Sequence, residues 1–199
     1  MAADQQAQSS GLVVPSAFAA PLLDQALEGL RAGRRLTVLD LGPARAVTIN
    51  SLGQYPCRVG VADALFQLAG GEGAADDAAL ASLLPEHWFA DTQLFLVWDL
   101  PEYLSTATLQ RFAQRLTALA APGARLHALV AYRGERIPSQ PVGYEMGADG
   151  IRPLAPAMDD PGRVPARISS DALQKGLPGW HLERSVLLRN GLQEYLFAC

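Results

Sequence analysis

The sequence is poor in the residues that most directly announce a chemistry. Among 199 residues it has two cysteines, Cys57 and Cys199, too far apart for the short spacing of a metal-ligand pair. They read as two reduced thiols, as expected in the cytoplasm, and no metal site is expected. Charged residues make up 18% of the chain, and the 16 basic ones form no dense run. A nucleic-acid or membrane surface needs clustered positive charge, so neither partner is expected. No apolar run approaches the roughly 18 residues of a membrane span. The opening MAADQQAQSSG has no basic segment ahead of an apolar one, so no signal peptide is expected there.

What is present is 49% hydrophobic residues, enough at this length for one sizeable core. Residues 1–14, small and polar, read as a disordered tail, and residues 15–199 as a single domain. The organising stretch is 36–63, LTVLDLGPARAVTINSLGQYPCRVGVAD. Residues 36–41 predict a strand closed by Gly42-Pro43, residues 44–52 a helix, and residues 58–61 a second strand ending near Asp63. Strand, turn, helix and strand make one parallel crossover unit. The turn after its first strand lies at the carboxyl edge of the sheet beside a helix N-terminus, where free N–H groups favour an anionic or polar ligand. Asp40 and Asp63 flank that turn.

Elsewhere, a proline start and a glycine stop predict a helix over 21–33 with Leu22, Leu23, Ala26, Leu27 and Leu30 on its apolar face. Residues 64–69 predict a short helix broken by the glycines of 70–73, and residues 76–84 another, ended by Pro85. A third strand is short or missing, with 87–90 its only candidate; His87 and Trp88 read there as packing residues more readily than as pocket walls. Residues 94–98 are an uninterrupted apolar strand, as suits a central parallel position. A helix capped by Ser105 or Thr106 and carrying Leu109, Phe112, Ala113, Leu116, Leu119 and Ala120 at helical spacing follows. Pro122-Gly123 is expected to stop it before a strand over 125–132, in which His127 reads as a satisfied core or edge residue. Residues 133–169 hold six prolines and five glycines, a composition that predicts a long irregular segment over the crevice, a lid or substrate wall. Ser170 is expected to cap a helix over 171–175. Residues 180–189 and 192–199 predict a hairpin around Asn190-Gly191, the preferred pair for a type I′ turn.

The run Asp40-Leu41-Gly42-Pro43-Ala44-Arg45-Ala46 resembles the first motif of class I S-adenosylmethionine-dependent methyltransferases, an acidic residue followed by G-x-G-x-G. Gly42 stands where the family has glycine, while Ala44 and Ala46 replace the other two. The 23-residue step from Asp40 to Asp63 is similar to the family's spacing to the acid that holds the cofactor ribose. Trp98-Asp99-Leu100 resembles the fourth motif, and residues 121–126 the proline-glycine turn before the fifth strand. A nicotinamide-binding fingerprint, Gly42-x-Ala44-x-x-Val47, fits no better, and the terminal antiparallel hairpin favours the methyltransferase.

The resemblance implies a Rossmann-like, mostly parallel sheet with helices on both faces and a C-terminal antiparallel hairpin. It implies S-adenosylmethionine as cofactor. Asp40, Gly42, Pro43 and Ala44 would face its methionine end, Asp63 and Ala64 its ribose, and Trp98, Asp99 and Leu100 its sulfonium. Asp99 is the candidate catalytic residue, and Tyr103 and Tyr144 the candidates for contact with a small-molecule or protein acceptor. A second reading is a methyltransferase-like protein that has lost catalysis and serves as a binding or assembly partner. Ala44, Ala46 and the missing third strand favour it. A protein that binds another nucleotide is a third, weaker option.

Overall fold

The structure is a computed structural model that describes residues 16–69 and 75–199. The tail expected at 1–14 and the glycine break at 70–73 lie outside the described residues. In chain order the first half holds α1 (Pro21–Ala26), α2 (Glu28–Arg31), β1 (Leu36–Asp40), α3 (Ala46–Gly53), β2 (Cys57–Val61), α4 (Ala64–Ala69), α5 (Asp77–Leu83) and α6 (Glu86–Phe89). The second half holds β3 (Thr92–Trp98), a 3-10 turn (Leu100–Glu102), α7 (Thr106–Leu119), β4 (Ala120–Ala131), β5 (Tyr144–Gly147), β6 (Gly150–Pro153), α8 (Ser170–Gly176), β7 (His181–Leu187) and β8 (Leu192–Ala198).

Six strands form one sheet in the order β2-β1-β3-β4-β8-β7. β1 pairs in parallel with β2 and β3, and β3 with β4, while β8 runs antiparallel to both β4 and β7. β3 sits at the centre because it is apolar on both faces: Leu94 through Trp98 are all within 1% of full burial. The expected fold class is therefore the one observed. Local chemistry sets several ends. Asp76 accepts the Ala79 N–H at the start of α5, and Ser105 accepts the Thr108 N–H at the start of α7.

Some details differ from the sequence reading. The helix over 21–33 is divided into α1 and α2 at Leu27, and α3 begins at Ala46 instead of Ala44. Residues 87–90 form no strand. They fall in and after α6, so among the described residues β2 pairs with β1 alone. β4 starts at Ala120, carrying Pro122-Gly123 inside an irregular stretch where its pairing with β3 slips between Thr92 and Leu94. Ser169, one residue earlier than expected, caps α8 by accepting the Ala172 N–H. The hairpin turn is not type I′. Gly191 takes φ +87° but Asn190 stays at negative φ, and Gly191 N–H donates to Leu188 O while Leu188 N–H donates to Leu192 O, a three-residue loop with glycine in the left-handed position.

The largest correction concerns 133–169. Its composition limits regular structure to four-residue strands, yet β5 and β6 pair antiparallel and Phe18 bridges to Ile151 on the far side of β6. Tyr144, Met146 and Ile151 are buried in the core, and Thr48 Oγ1 of α3 accepts the Met146 N–H at 2.9 Å. The segment is packed structure rather than a loose lid. Apolar residues at alternate strand positions were enough to dock it, although prolines and glycines surround them.

A buried carboxylate ties the first helix to the sheet. Glu194 on β8 accepts the backbone N–H groups of Leu22 (3.1 Å) and Leu23 (2.8 Å) at the start of α1. It lies 2.9 Å from His127 Nε2, which donates to it from β4. The helix begins with a proline and no side-chain cap of its own, so Glu194 supplies from a distance what a local cap supplies elsewhere.

Glu194→Ala is expected to lower stability by about 3 kcal/mol in urea denaturation, because it strands two N–H groups and a buried imidazole. Replacing residues 140–162 with a short glycine-serine linker is expected to lower the melting temperature by more than about 10 °C, since three buried side chains worth roughly 1.5–3 kcal/mol each are lost. A fall of only a few degrees would return the segment to the status of a loose cover.

Candidate functional site

β1 and β3 end side by side, and the chain turns away from both at the same edge of the sheet. Asp40, the last residue of β1, is almost fully buried. Its Oδ1 accepts two bonds, from Gly42 N–H at 2.9 Å and from Trp98 Nε1–H at 2.6 Å. Burial pushes the Asp40 carboxyl up from its ordinary value, while the two donors pull it down. Gly42 is required here by the protein itself: a methyl group on it would stand 2.9 Å from Trp98 Nε1 and 3.2 Å from Asp40 Oδ1.

Trp98 closes β3 with φ +54°, a left-handed backbone that a bulky residue rarely adopts. Its indole is buried and stacked on the Tyr144 ring, centroids 5.4 Å apart and planes 17° apart, with His127 edge-on at 6.2 Å. The Tyr144 hydroxyl donates to Asp99 Oδ2 across a long 3.4 Å, and Asp99 Oδ1, also buried, has no partner among the described residues. Burial first, with the nearby Glu102 carboxylate adding to it, pushes the Asp99 carboxyl up to about 7. Tyr144 and Tyr103 are both pushed above the usual phenol range, chiefly by burial and then by Asp99.

Asp40, Gly42, Trp98, Asp99 and Tyr144 are thus drawn into one buried cluster. Pro43 lies against the hairpin, so close that a methyl on Gly143 would stand 2.7 Å from its Cδ. Ala44 and Asp63 are exposed at the mouth of the crevice, where partial burial pushes the Asp63 carboxyl up from its ordinary value and Arg45 offsets part of that push. Ala64 and Leu100 are fully buried; Ala64 N–H donates to Leu41 O and Leu100 packs into the core. Tyr103 turns to the 133–169 segment. Its hydroxyl donates to Pro138 O at 3.2 Å and the Arg163 guanidinium lies 5.3 Å from its ring centroid. Trp88 is 64% exposed beside β2, away from this cluster.

Sequence reading missed Glu102 and Glu194. Glu102 is buried, and its two oxygens accept Ala131 N–H (2.7 Å) and Ala166 N–H (3.1 Å), fastening the 133–169 segment to β4. A signal existed in the apolar surroundings of both glutamates, since an acid within an apolar run must find donors. Their partners, being backbone N–H groups far along the chain, left none.

A cavity of about 440 Å³ lies between α1, α2, α3 and the β5–β6 hairpin, floored by Leu23, Leu27, Leu52 and Met146. It is separate from the carboxyl ends of β1 and β3, where Trp98 and Tyr144 fill the space. Among the described residues no cluster of histidine, cysteine or carboxylate side chains is disposed to hold a metal ion. No helix among them is long and apolar enough to cross a membrane.

Parallel strands β2-β1-β3-β4 followed by the antiparallel pair β8-β7 define an α/β fold, that of the class I S-adenosylmethionine-dependent methyltransferases. The N-methyltransferase NodS from Bradyrhizobium japonicum WM9, solved in complex with S-adenosyl-L-homocysteine, superposes with a TM-score of 0.50 at 13% identity, over 89% of this chain and 85% of its own. A SAM-dependent methyltransferase from Aquifex aeolicus gives 0.50 at 15% identity, over 89% and 87%. No family model matches the sequence, and no curated protein matches it either.

Because folding raises the Asp99 pKa from 3.8 to about 7, the folded state holds this proton more tightly than the unfolded chain. The stability it contributes is present in acid and is lost as pH rises from about 4 to about 7. Asp99→Asn is therefore expected to gain roughly 2–4 kcal/mol on the wild type across that window, then to run parallel to it. Urea denaturation of both proteins at pH 4.5, 5.5, 6.5 and 7.5 measures the difference; parallel curves throughout would show that Asp99 is not held neutral.

Proposed function

We propose that the chain is an S-adenosylmethionine-dependent methyltransferase whose acceptor, a small molecule or a protein side chain, meets the donor at the carboxyl ends of β1 and β3. One observation carries the reading. Asp99 is buried just past the end of the central strand, beside a flat aromatic wall, with one carboxylate oxygen lacking a partner among the described residues. A core built for packing alone does not keep such an acid, because an unsatisfied buried acceptor costs free energy. The fold shared with a protein solved with S-adenosyl-L-homocysteine supports the donor class.

The residues present fit that donor at two points. Asp63 is exposed at the end of β2, able to accept from ribose hydroxyls, and the unpartnered Asp99 oxygen offers an acceptor near the reacting end. The fit requires the Tyr144 ring to leave Trp98. When bound, the donor supplies a methyl group already activated on a sulfonium, so alignment does most of the work left to the protein. Asp40 keeps the Gly42 turn and the Trp98 indole in place. Trp98 orients a flat group, and Asp99, with a pKa of about 7, takes the proton that a hydroxyl or amine loses on methylation.

A second reading is a non-catalytic binding or assembly partner. It is favoured by Tyr144 standing on Trp98 inside the crevice and by the alanines at 44 and 46, each adding a methyl where the family has none. Calorimetry with S-adenosyl-L-homocysteine separates the two. Weak binding is expected for the wild type, about tenfold tighter binding for Tyr144→Ala, which removes the competing ring, and loss of binding for Asp63→Ala. No heat from the wild type or from Tyr144→Ala at millimolar ligand would establish the non-catalytic reading.

A further inference from the structure

We infer that the free edge of β2, with the Trp88 indole beside it, is a docking berth for an extended acidic peptide, which pairs with β2 as an added strand and sets a carboxylate against Arg58. This surface lies apart from the carboxyl-edge crevice, and its role does not depend on methyl transfer.

The edge is open because of how β2 meets β1. Leu36 N–H donates to Pro56 O and Ala62 N–H donates to Asp40 O, and between these bonds Val38 stands opposite Val59. Bonding residues alternate along a parallel pair, so Pro56, Arg58, Gly60 and Ala62 face β1. The N–H and C=O groups of Val59 and Val61 therefore point away from it and have no partner among the described residues. Sheet edges are ordinarily guarded by prolines, bulges or outward charges. β2 contains no proline and keeps an unbroken register with β1. Its one charged residue, Arg58, bends onto α6, where Nη2–H donates to Trp88 O at 2.9 Å.

Along that edge runs a trench of about 410 Å³, with residues 58–61 on one side and His87, Trp88 and Phe89 on the other. A methyl on Gly60 would stand 3.0 Å from the Phe89 ring, so the bare glycine lets α6 approach the strand closely. Trp88 is left 64% exposed, with His87 edge-on to its ring at 5.9 Å. An added strand would gain the backbone bonds of Val59 and Val61 on one side and apolar cover from the indole on the other.

Charge selects the occupant. Arg58 is the one lysine, arginine or carboxylate residue lining the trench, and it has no carboxylate partner among the described residues. Its guanidinium has donors left for a carboxylate besides the one on Trp88 O. A second copy of this chain, paired edge to edge, would bring another Arg58 to the same side of the sheet and no acid to answer either.

Trp88 is also the reporter, since the other two tryptophans, Trp98 and Trp180, are buried. The probe is the capped peptide acetyl-Thr-Val-Glu-Val-Glu-Val-Thr-amide, titrated into the full chain and followed by tryptophan emission and iodide quenching. A blue shift and protection of Trp88 from iodide are expected, with about fivefold weaker binding when lysines replace the glutamates. Arg58→Gln is expected to bring the two peptides level. Two analogues, N-methylated on the valines or on the glutamates, keep every side chain. Only alternate amides of a paired strand face its neighbour, so one analogue is expected to lose binding and the other to keep it. Val59→Pro removes an N–H that bonds to nothing in the fold, and about fivefold weaker binding is expected from it. Should that variant fail to fold, the N-methyl comparison makes the same test on the wild type. No spectral change at millimolar peptide, equal binding of the acidic and lysine peptides, or binding by both N-methyl analogues would overturn the assignment. So would a Trp88 already shielded from iodide in the free monomer, which gives the trench to this chain's own residues. A dimer in sedimentation that Val59→Pro dissociates would give it to a second copy and overturn it equally.

Discussion

One carboxylate oxygen, Asp40 Oδ1, with two donors on it, holds the centre of this molecule. It fastens the turn after β1 through Gly42 N–H and the end of β3 through the Trp98 indole, so the two strand ends cannot separate. The bond to Trp98 is short, and neither partner is in contact with water, where competition would weaken it. Everything at the carboxyl edge follows from it. Trp98 stays in an unfavourable backbone conformation, its indole becomes a fixed wall, and Tyr144 has a surface on which to lie. Gly42 is glycine because the indole leaves no room for a side chain.

That arrangement bears on how a glycine-rich motif is understood. In the sequence, Gly42 looks like the remnant of a loop that approaches a ligand. In the fold its nearest neighbour is a tryptophan of the same chain, and the positions of Ala44 and Ala46 are exposed, with room for their methyl groups. Glycine thus stands at 42, where internal packing demands it, and alanine at 44 and 46, where the chain leaves room for a methyl group.

The central parallel strands were legible because β1 and β3 are apolar runs ending at acids and punctuated by glycine and proline. The terminal hairpin was legible from Asn190-Gly191, although the turn type was not, since a three-residue loop uses the same glycine at a different position. The β5–β6 hairpin was hidden. Four-residue strands are too short for a pattern, and what orders them is tertiary: Thr48 for Met146, Trp98 for Tyr144, Phe18 for Ile151. Of the site, the acids at strand ends could be named from their positions, because strand ends gather at one edge. The Trp98–Tyr144 stack joins residues 98 and 144 across an irregular segment, and no local rule foretells it.

The bond between Glu194 and the first turn of α1 spans 172 residues of sequence, and it sets a clock on synthesis. At about 5–20 residues per second, the opening helix leaves the ribosome on the order of ten to thirty seconds before the carboxylate that caps it exists. During that interval its buried side chains, Leu22, Leu23 and Ala26, have no β8 to pack against. Contacts this distant also slow the search once the chain is complete, because closing a long loop precedes the gain. The nascent chain therefore carries an uncovered leucine stripe for most of its translation, the kind of surface that chaperones bind.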